Sequence, residues 1–191
     1  MKTPLLTAAV IVALSACSTV PSTSSGAKAT AAPVMSTVST ARSATINLAS
    51  ASASLVSGRL IAMPMADGVH LRGEIGGLAP NSTHAIHIHE NGDCSAADAS
   101  SAGGHFNPAA TAHGKAGPGP HHGGDMDNIV ANSQGVARVD VHASGVTLGG
   151  GAANDVAGRA VVVHAAADDY SSQPAGNAGA RLACGVIVAT R

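Results

Sequence analysis

Aromatic side chains are almost missing from this chain: it has no Trp, and Phe106 and Tyr170 are its single Phe and Tyr. A core must therefore be built from Val, Ile, Leu and Ala, and 191 residues at 45% hydrophobic content are enough for one domain with such a core. Charge is scarce as well, at 11% of residues and a formal net −1, which excludes the basic footprint of a nucleic-acid-binding protein. With few helix-favouring charged residues and 23 Gly, the composition leans towards strands and turns. The apolar run from Leu5 to Leu14 is too short to span a bilayer. Cysteine is limited to Cys17, Cys94 and Cys184, an odd count that calls for an explanation in an exported protein. Histidine is not scarce: ten His match ten Lys plus Arg, and imidazole is the commonest protein ligand for metals.

The N-terminus accounts for one cysteine. Lys2 followed by the short apolar run reads as a signal peptide over residues 1–16. It ends in Leu14-Ser15-Ala16-Cys17, which resembles the bacterial lipoprotein signal, where cleavage leaves a lipid on the new N-terminal Cys. An ordinary signal peptide with an incidental Cys17 is the alternative. With Cys17 lipidated, the chain would face the periplasm from a membrane, and Ser18 favours the outer membrane of a Gram-negative host. Two cysteines then remain, free to form a disulfide in an exported protein.

Residues 18–43 are rich in Ser, Thr, Ala and Pro without sustained periodicity, so 17–43 reads as a lipidated Cys and a disordered tether. From Ala44 short β-prone segments alternate with turn signals: Thr45 to Ala49, Ser54 to Met63, Val69 to Ile75, Ala85 to Glu90, Asn128 to Ala131, Val136 to His142, Arg159 to His164 and Leu182 to Ala189. This predicts an all-β sandwich or barrel over 44–191. Two stretches, Asn91 to Asp127 and Ala165 to Arg181, resist strand assignment, and long loops inside a compact domain are usually functional or disordered.

The chemistry-bearing residues fall in or beside those loops. His87 and His89 lie two apart in an apolar strand, so both imidazoles share one face. The first loop offers His105, His113, His121, His122 and Asp125 among Gly and Pro, and three His with one carboxylate make a tetrahedral zinc set. A solvated His-rich loop is the plainer reading. His164 closes an apolar strand, where a histidine is more often a capped core residue than a ligand.

Their order along the chain is more specific. His87-Ile88-His89-Glu90 leads to Asn91-Gly92-Asp93-Cys94, Gly104-His105-Phe106-Asn107-Pro108, His113-Gly114, His122-Gly123-Gly124-Asp125 and Val163-His164. It ends in Gly176-Asn177-Ala178-Gly179-Ala180-Arg181-Leu182-Ala183-Cys184-Gly185. From Ala44 to Arg191 this resembles the copper/zinc superoxide dismutase family, in its bacterial branch.

The resemblance implies a Greek-key antiparallel β-sandwich or flattened barrel of about eight strands, with two long functional loops. It also implies conversion of superoxide to oxygen and hydrogen peroxide, by alternate reduction and reoxidation of copper, protecting the cell envelope. By the same resemblance copper is held by His87, His89, His105 and His164, and zinc by His105, His113, His122 and Asp125, with His105 bridging. His121 competes with His122 for one zinc position. Asp168 would hydrogen-bond His87 and His113, with Asp169 as its neighbour and alternative. Cys94 and Cys184 would form the disulfide, and Arg181 would hold the anion beside copper. The resemblance implies superoxide as substrate and is compatible with a homodimer; a membrane partner follows from the expected lipid on Cys17, and the absence of a nucleic-acid partner from the net charge.

His70, His84 and His142 fit no ligand position and read as surface or hydrogen-bonded structural residues. Two rivals stand beside this reading: a metal-binding protein without catalysis on the same scaffold, and a metal-dependent hydrolase. The first would be favoured by loss of the arginine or of a copper ligand, and none is lost. The second needs a zinc with an open position, whereas four candidates close it. One departure is that Tyr170 to Ala180 carries no charged side chain, where many members of the family carry charges that guide superoxide.

Overall fold

The computed structural model describes residues 32–190; the signal segment, Cys17 and the tether up to residue 31 lie outside the described residues. Nine strands form. They are β1 (Ser43–Ser50), β2 (Ser57–Met65), β3 (Gly68–Gly76), β4 (Thr83–His84), β5 (Ile86–His89), β6 (Ile129–Val130), β7 (Ala137–Ser144), β8 (Ala160–His164) and β9 (Arg181–Thr190). One curled antiparallel sheet runs β5-β8-β9-β1-β2-β3-β7, and β4 pairs with β6 in a small second sheet. Hairpins join β1, β2 and β3, while long connections return β7 beside β3 and β9 beside β1, as in a Greek key.

Alternation decides what each strand buries. On β7, Ala137, Val139, Val141 and Ala143 point inward, while Arg138 and Asp140 face solvent. The interior is aliphatic, with Ile46, Leu60, Leu71, Ile75, Ile86, Ile88, Leu148 and Ile187 fully buried and Phe106 as its aromatic member. Burying each of these side chains contributes roughly 1.5–3 kcal/mol relative to exposure.

β5 and β8 differ from the rest, because every residue in them is buried. Ile86 and Ile88 join the main core with Val161 and Val163, whereas Ala160 and Val162 belong to a smaller cluster with Cys184. His87 pairs with Val162 and His89 with Ala160 in the ladder. The face carrying these histidines is covered by the long loops rather than by solvent.

Between Val163 and His164 the β8–β9 register slips by one residue, so His164 lies opposite Arg181 and not Leu182. Such a bulge re-aims side chains beside functional sites, and here it brings the arginine level with a candidate ligand. The Cys94–Cys184 disulfide forms across 90 residues, with Cα atoms 5.7 Å apart. It ties the loop after β5 to β9, and closing a loop of that size contributes about 2–5 kcal/mol on the chain-entropy argument.

Most strand ends move by one to three residues from the sequence reading, as where Ser54 to Met63 becomes Ser57–Met65, and two differences matter more. The strand expected over Ala85 to Glu90 narrows to Ile86–His89, which pairs with β8, while His84 just before it pairs with Ile129 of β6 in the other sheet. Ala85 is the corner, donating to Ala166 O and accepting from His164 N. The folded unit also starts before Ala44. Thr40 N and Ala41 N donate to Leu148 O at 3.1 and 3.0 Å, and Asn154 clamps Ser36, accepting from its N and donating to its O. Residues 36–41, expected in the tether, are bound by partners more than a hundred residues away.

Candidate metal centre

β5 presents His87 and His89 on one face, and His164 at the end of β8 stands beside them. His105 joins by a backbone route. Glu90 N donates to Gly104 O and Phe106 N donates to Ile88 O, so residues 104–106 run along β5 as an extra strand segment. Gly124 threads against the same strand: Ile88 N donates to Gly124 O, and a Cβ at Gly124 would overlap Ile88 O. That close approach needs glycine, and it sets Asp125 behind His105. The ligand atoms fall into two groups, His87, His89, His105 and His164, and His105, His113, His122 and Asp125; within each, all lie within 4.8 Å of one another.

Hydrogen bonds decide which ring nitrogen each histidine offers. His89 Nδ1 donates to Gly103 O at 3.0 Å and His164 Nδ1 to Gly179 O at 3.4 Å, which turns both Nε2 atoms inward, 3.3 Å apart. His87 is held by its other nitrogen: Nε2 donates to Asp168 Oδ2 at 2.8 Å and Nδ1 faces the group. His105 uses both, with Nδ1 2.8 Å from Asp125 Oδ1 and Nε2 facing the copper-side histidines. The Nδ1 atoms of His113 and His122 lie 3.0 and 3.5 Å from the same Asp125 oxygen. They converge on it without the alignment of hydrogen bonds.

Whether these residues suit metal ions can be judged from their unpartnered atoms. Six buried side-chain N or O atoms among the described residues lack a hydrogen-bond partner, and four are here: His87 Nδ1, His105 Nε2, His113 Nδ1 and His122 Nδ1. Orphaned buried polar atoms are rare and costly, and four pointing at two centres is what ligands without their ions look like. A four-nitrogen set suits copper(II), and three nitrogens with a carboxylate suit zinc.

The electrostatics agree. Burial pushes the His89 imidazolium down to about 2, with His105, His164 and Arg181 adding to the effect. Burial likewise pushes His164 down to about 3 and lowers His87, whose bond to Asp168 offsets only part of it. These imidazoles are therefore neutral at pH 7, with lone pairs free for a metal. Burial also lowers His122, against the pull of Asp125. Burial works against His113 too, but Asp168 and Asp125 outweigh it and raise that ring. Burial alone would raise Asp125, yet bonds from His105 and from the backbone N–H groups of His122 and Gly114 hold it well below the usual carboxylate range.

Asp168 bridges the two groups, accepting from His87 Nε2 and from His113 Nε2 at 3.0 Å. Such contacts fix ring orientation. Gly176 is required beside it, since a Cβ there would overlap Asp168 Oδ1 and its φ is +65°.

A cleft of about 520 Å³ opens onto the copper-side histidines. His89, His105 and His164 lie on its wall with Asn107, Gln173 and Asn177, and Arg181 is the single permanently charged side chain there. Arg181 donates to Ala99 O and to Gly103 O, each at 2.6 Å. Gly103 O thus receives both Arg181 and His89, so one carbonyl couples the cation to a ligand ring.

The histidines left open in the sequence are now placed. His121 has both nitrogens engaged, on Gly119 O and Ser144 Oγ, and stands outside either group. Asp169 bonds the backbone of Ser171 and Ser172. His70 and His142 lie beside Asp140 and Asp67 on the outer face of β3 and β7. His84 is buried and holds a ligand's backbone, through Nδ1 to His164 O at 2.8 Å. Sequence reasoning missed Asn128, whose side-chain amide bonds both the N–H and the C=O of Asp168. A lone Asn after a loop carries no signal that would have singled it out.

A family model described as copper/zinc superoxide dismutase matches residues 56–187. The chain is 47% identical over 123 residues to a protein named superoxide dismutase (Cu-Zn) 2 from Aquifex aeolicus (strain VF5), covering 63% of this chain and 72% of that one. It is 45% identical over 125 residues to superoxide dismutase (Cu-Zn) of Caulobacter vibrioides, covering 63% and 71%. Among solved structures, the clock protein EA4 superimposes with a TM-score of 0.69 at 36% identity, covering 80% of this chain and 98% of that one.

Proposed function

The chain belongs to the copper/zinc superoxide dismutase family, and from that premise we propose how its residues divide the work. The protein is a superoxide dismutase that uses copper and zinc, turning two superoxide anions and two protons into oxygen and hydrogen peroxide. When bound, copper would supply the one-electron redox chemistry, while zinc would have no redox role.

The rest concerns the protein's own groups. His87 Nδ1 and the Nε2 atoms of His89, His105 and His164 would hold copper; Asp125 and the Nδ1 atoms of His105, His113 and His122 would hold zinc. The observation that carries this is His105, whose two ring nitrogens belong to two different four-residue groups. With Nδ1 held on the Asp125 side, its Nε2 is the atom placed to carry a proton when not engaged by metal. Asp168 orients one ring of each group. Arg181 draws the anion along an otherwise uncharged wall. Assay of the purified protein with and without copper, alongside metal analysis, tests the assignment. Copper-dependent dismutation at one copper and one zinc per chain is expected. Metal binding without dismutation would favour a metal-binding protein without catalysis on the same scaffold.

The location proposed is the bacterial envelope, with the mature chain starting at lipidated Cys17 and the domain facing the periplasm, outer membrane rather than inner. Support comes from Leu14-Ser15-Ala16-Cys17 and from the other two cysteines being spent on the disulfide, which leaves Cys17 for another role. A multiply acylated Cys anchors stably where one acyl chain would not. Expressed in a bacterium, the protein should partition with membranes, and Cys17→Ala should release it or block processing. An intact mass matching an unmodified chain cut elsewhere would end this proposal.

A further inference from the structure

The second loop reaches the zinc-side group at a point that is not a ligand. Gln173 accepts from His113 N through Oε1 at 2.9 Å and donates to His113 O through Nε2, also at 2.9 Å. One side-chain amide thus satisfies the whole backbone of one residue, as a strand neighbour would, and it does so across 60 residues of sequence. The His113 ring is fixed separately, with Nε2 on Asp168 Oδ1 and Nδ1 against Asp125 Oδ1, and the next residue is fixed by Gly114 N donating to Asp125 Oδ2. Asp125 and Asp168 belong to the metal centre itself. Gln173 does not, since its side chain hydrogen-bonds only backbone atoms; it stands on the wall of the cleft and grips His113 by the main chain.

We infer that Gln173 is a positioning residue for zinc: its amide locks the His113 backbone, so the cleft wall and the zinc-side donors hold one another in place. The inference rests on the zinc assignment of His113. Its physical basis is that a ligand on a Gly- and Pro-rich loop is aimed only as well as its backbone is held. Residues 114–120 supply Gly114, Gly117, Pro118, Gly119 and Pro120 and no regular structure. Without the amide, His113 N and His113 O would each turn to water. The ring would then swing about its remaining bond to Asp168, and zinc would lose one of its four donors more often. Outer contacts of this kind typically change metal retention by about 10–100-fold. The copper-side histidines are held by other bonds, to Gly103, Gly179 and Asp168, so the effect should be confined to zinc.

The test uses the metal-loaded protein and a Gln173→Met variant, which keeps an unbranched side chain of similar length and removes both hydrogen bonds to His113 along with the longer one to Ser171 O. Zinc release into excess chelator should be about tenfold faster or more in the variant. Copper release and the thermal midpoint of the metal-free protein should stay as in the parent. Co²⁺ bound in place of zinc should show a shifted visible spectrum, reporting altered donor geometry rather than altered folding. Zinc release at the parent rate with an unchanged Co²⁺ spectrum would overturn the inference. So would a fall in the metal-free midpoint with no change of spectrum, because the amide would then be a general brace. His113→Ala in the same assay separates this from failure of the zinc assignment. If His113→Ala holds zinc as the parent does, the assignment is wrong; if it loses zinc and Gln173→Met does not, only the clamp is wrong.

Discussion

Replacing His105 by Ala is expected to empty both metal positions together and to bring dismutase activity down to background. No other residue stands in both groups of four donors. Its Nδ1 lies 2.8 Å from Asp125 Oδ1, and its Nε2 is a buried nitrogen without any other partner. Removing a ligand should cost no less than the roughly 100-fold that loss of a contact behind a ligand can cost, and here two ions lose one at once. The comparison variant is His164→Ala, whose ring serves only the copper-side group; it should deplete copper and largely spare zinc. Metal content of both variants, purified without added metal and then reloaded, gives the answer. Full occupancy of both metals in His105→Ala would show that the ring does not bridge.

Strands such as β7 were legible because they alternate, as Ala137 to Ala143 does, whereas β5 and β8 are buried throughout and were legible as short apolar runs, with His87 and His89 two apart in one of them. The grouping of distant histidines was legible only from the order of motifs along the chain, since no local period links His105 to His164. What stayed hidden depends on contacts made from elsewhere. His121 and His122 are adjacent, and the choice between them is made by the Gly119 carbonyl and the Ser144 hydroxyl, which take both nitrogens of His121. The segment from Ser36 to Ala41 has no pattern of its own and is folded by Leu148 and Asn154. The bulge at His164, which decides that Arg181 and not Leu182 lies opposite it, leaves no mark on residue types. Backbone clamps by Asn128 and Gln173 are invisible for the same reason: an amide in a loop reads as a loop.

Arg181→Ile is expected to lower kcat/KM by about tenfold or more, an effect of about 1.4 kcal/mol on capture of the anion. Residues 44–191 carry seven Lys plus Arg against eleven Asp plus Glu, a formal −4 before any metal is bound. Two divalent ions would only offset this, so net charge supplies no attraction and a local positive field must. Superoxide dismutases are themselves standard examples of diffusion-limited enzymes, so fast capture is a family expectation. On the cleft wall that field has one permanently charged side chain to come from, because Gln173, Asn177 and Asn107 are neutral and Tyr170 to Ala180 adds no charge. Two of the five N–H donors of Arg181 are spent on Ala99 O and Gly103 O, which fixes the guanidinium and leaves donors for an anion. Raising ionic strength should slow the parent enzyme and slow the variant less, since screening acts on the attraction the variant has lost. The shared Gly103 carbonyl is the complication, because freeing it from Arg181 could also loosen His89. Arg181→Lys separates the two effects: it keeps the positive charge but replaces the planar fork with a point charge. If steering dominates, the Lys variant retains most of kcat/KM and its salt dependence, and copper and zinc contents match the parent in both variants. If the Lys variant falls as far as the Ile variant with both metals in place, orientation of the bound anion by the guanidinium outweighs long-range attraction. Unchanged kcat/KM in fully metallated Arg181→Ile would mean that neither role belongs to this residue.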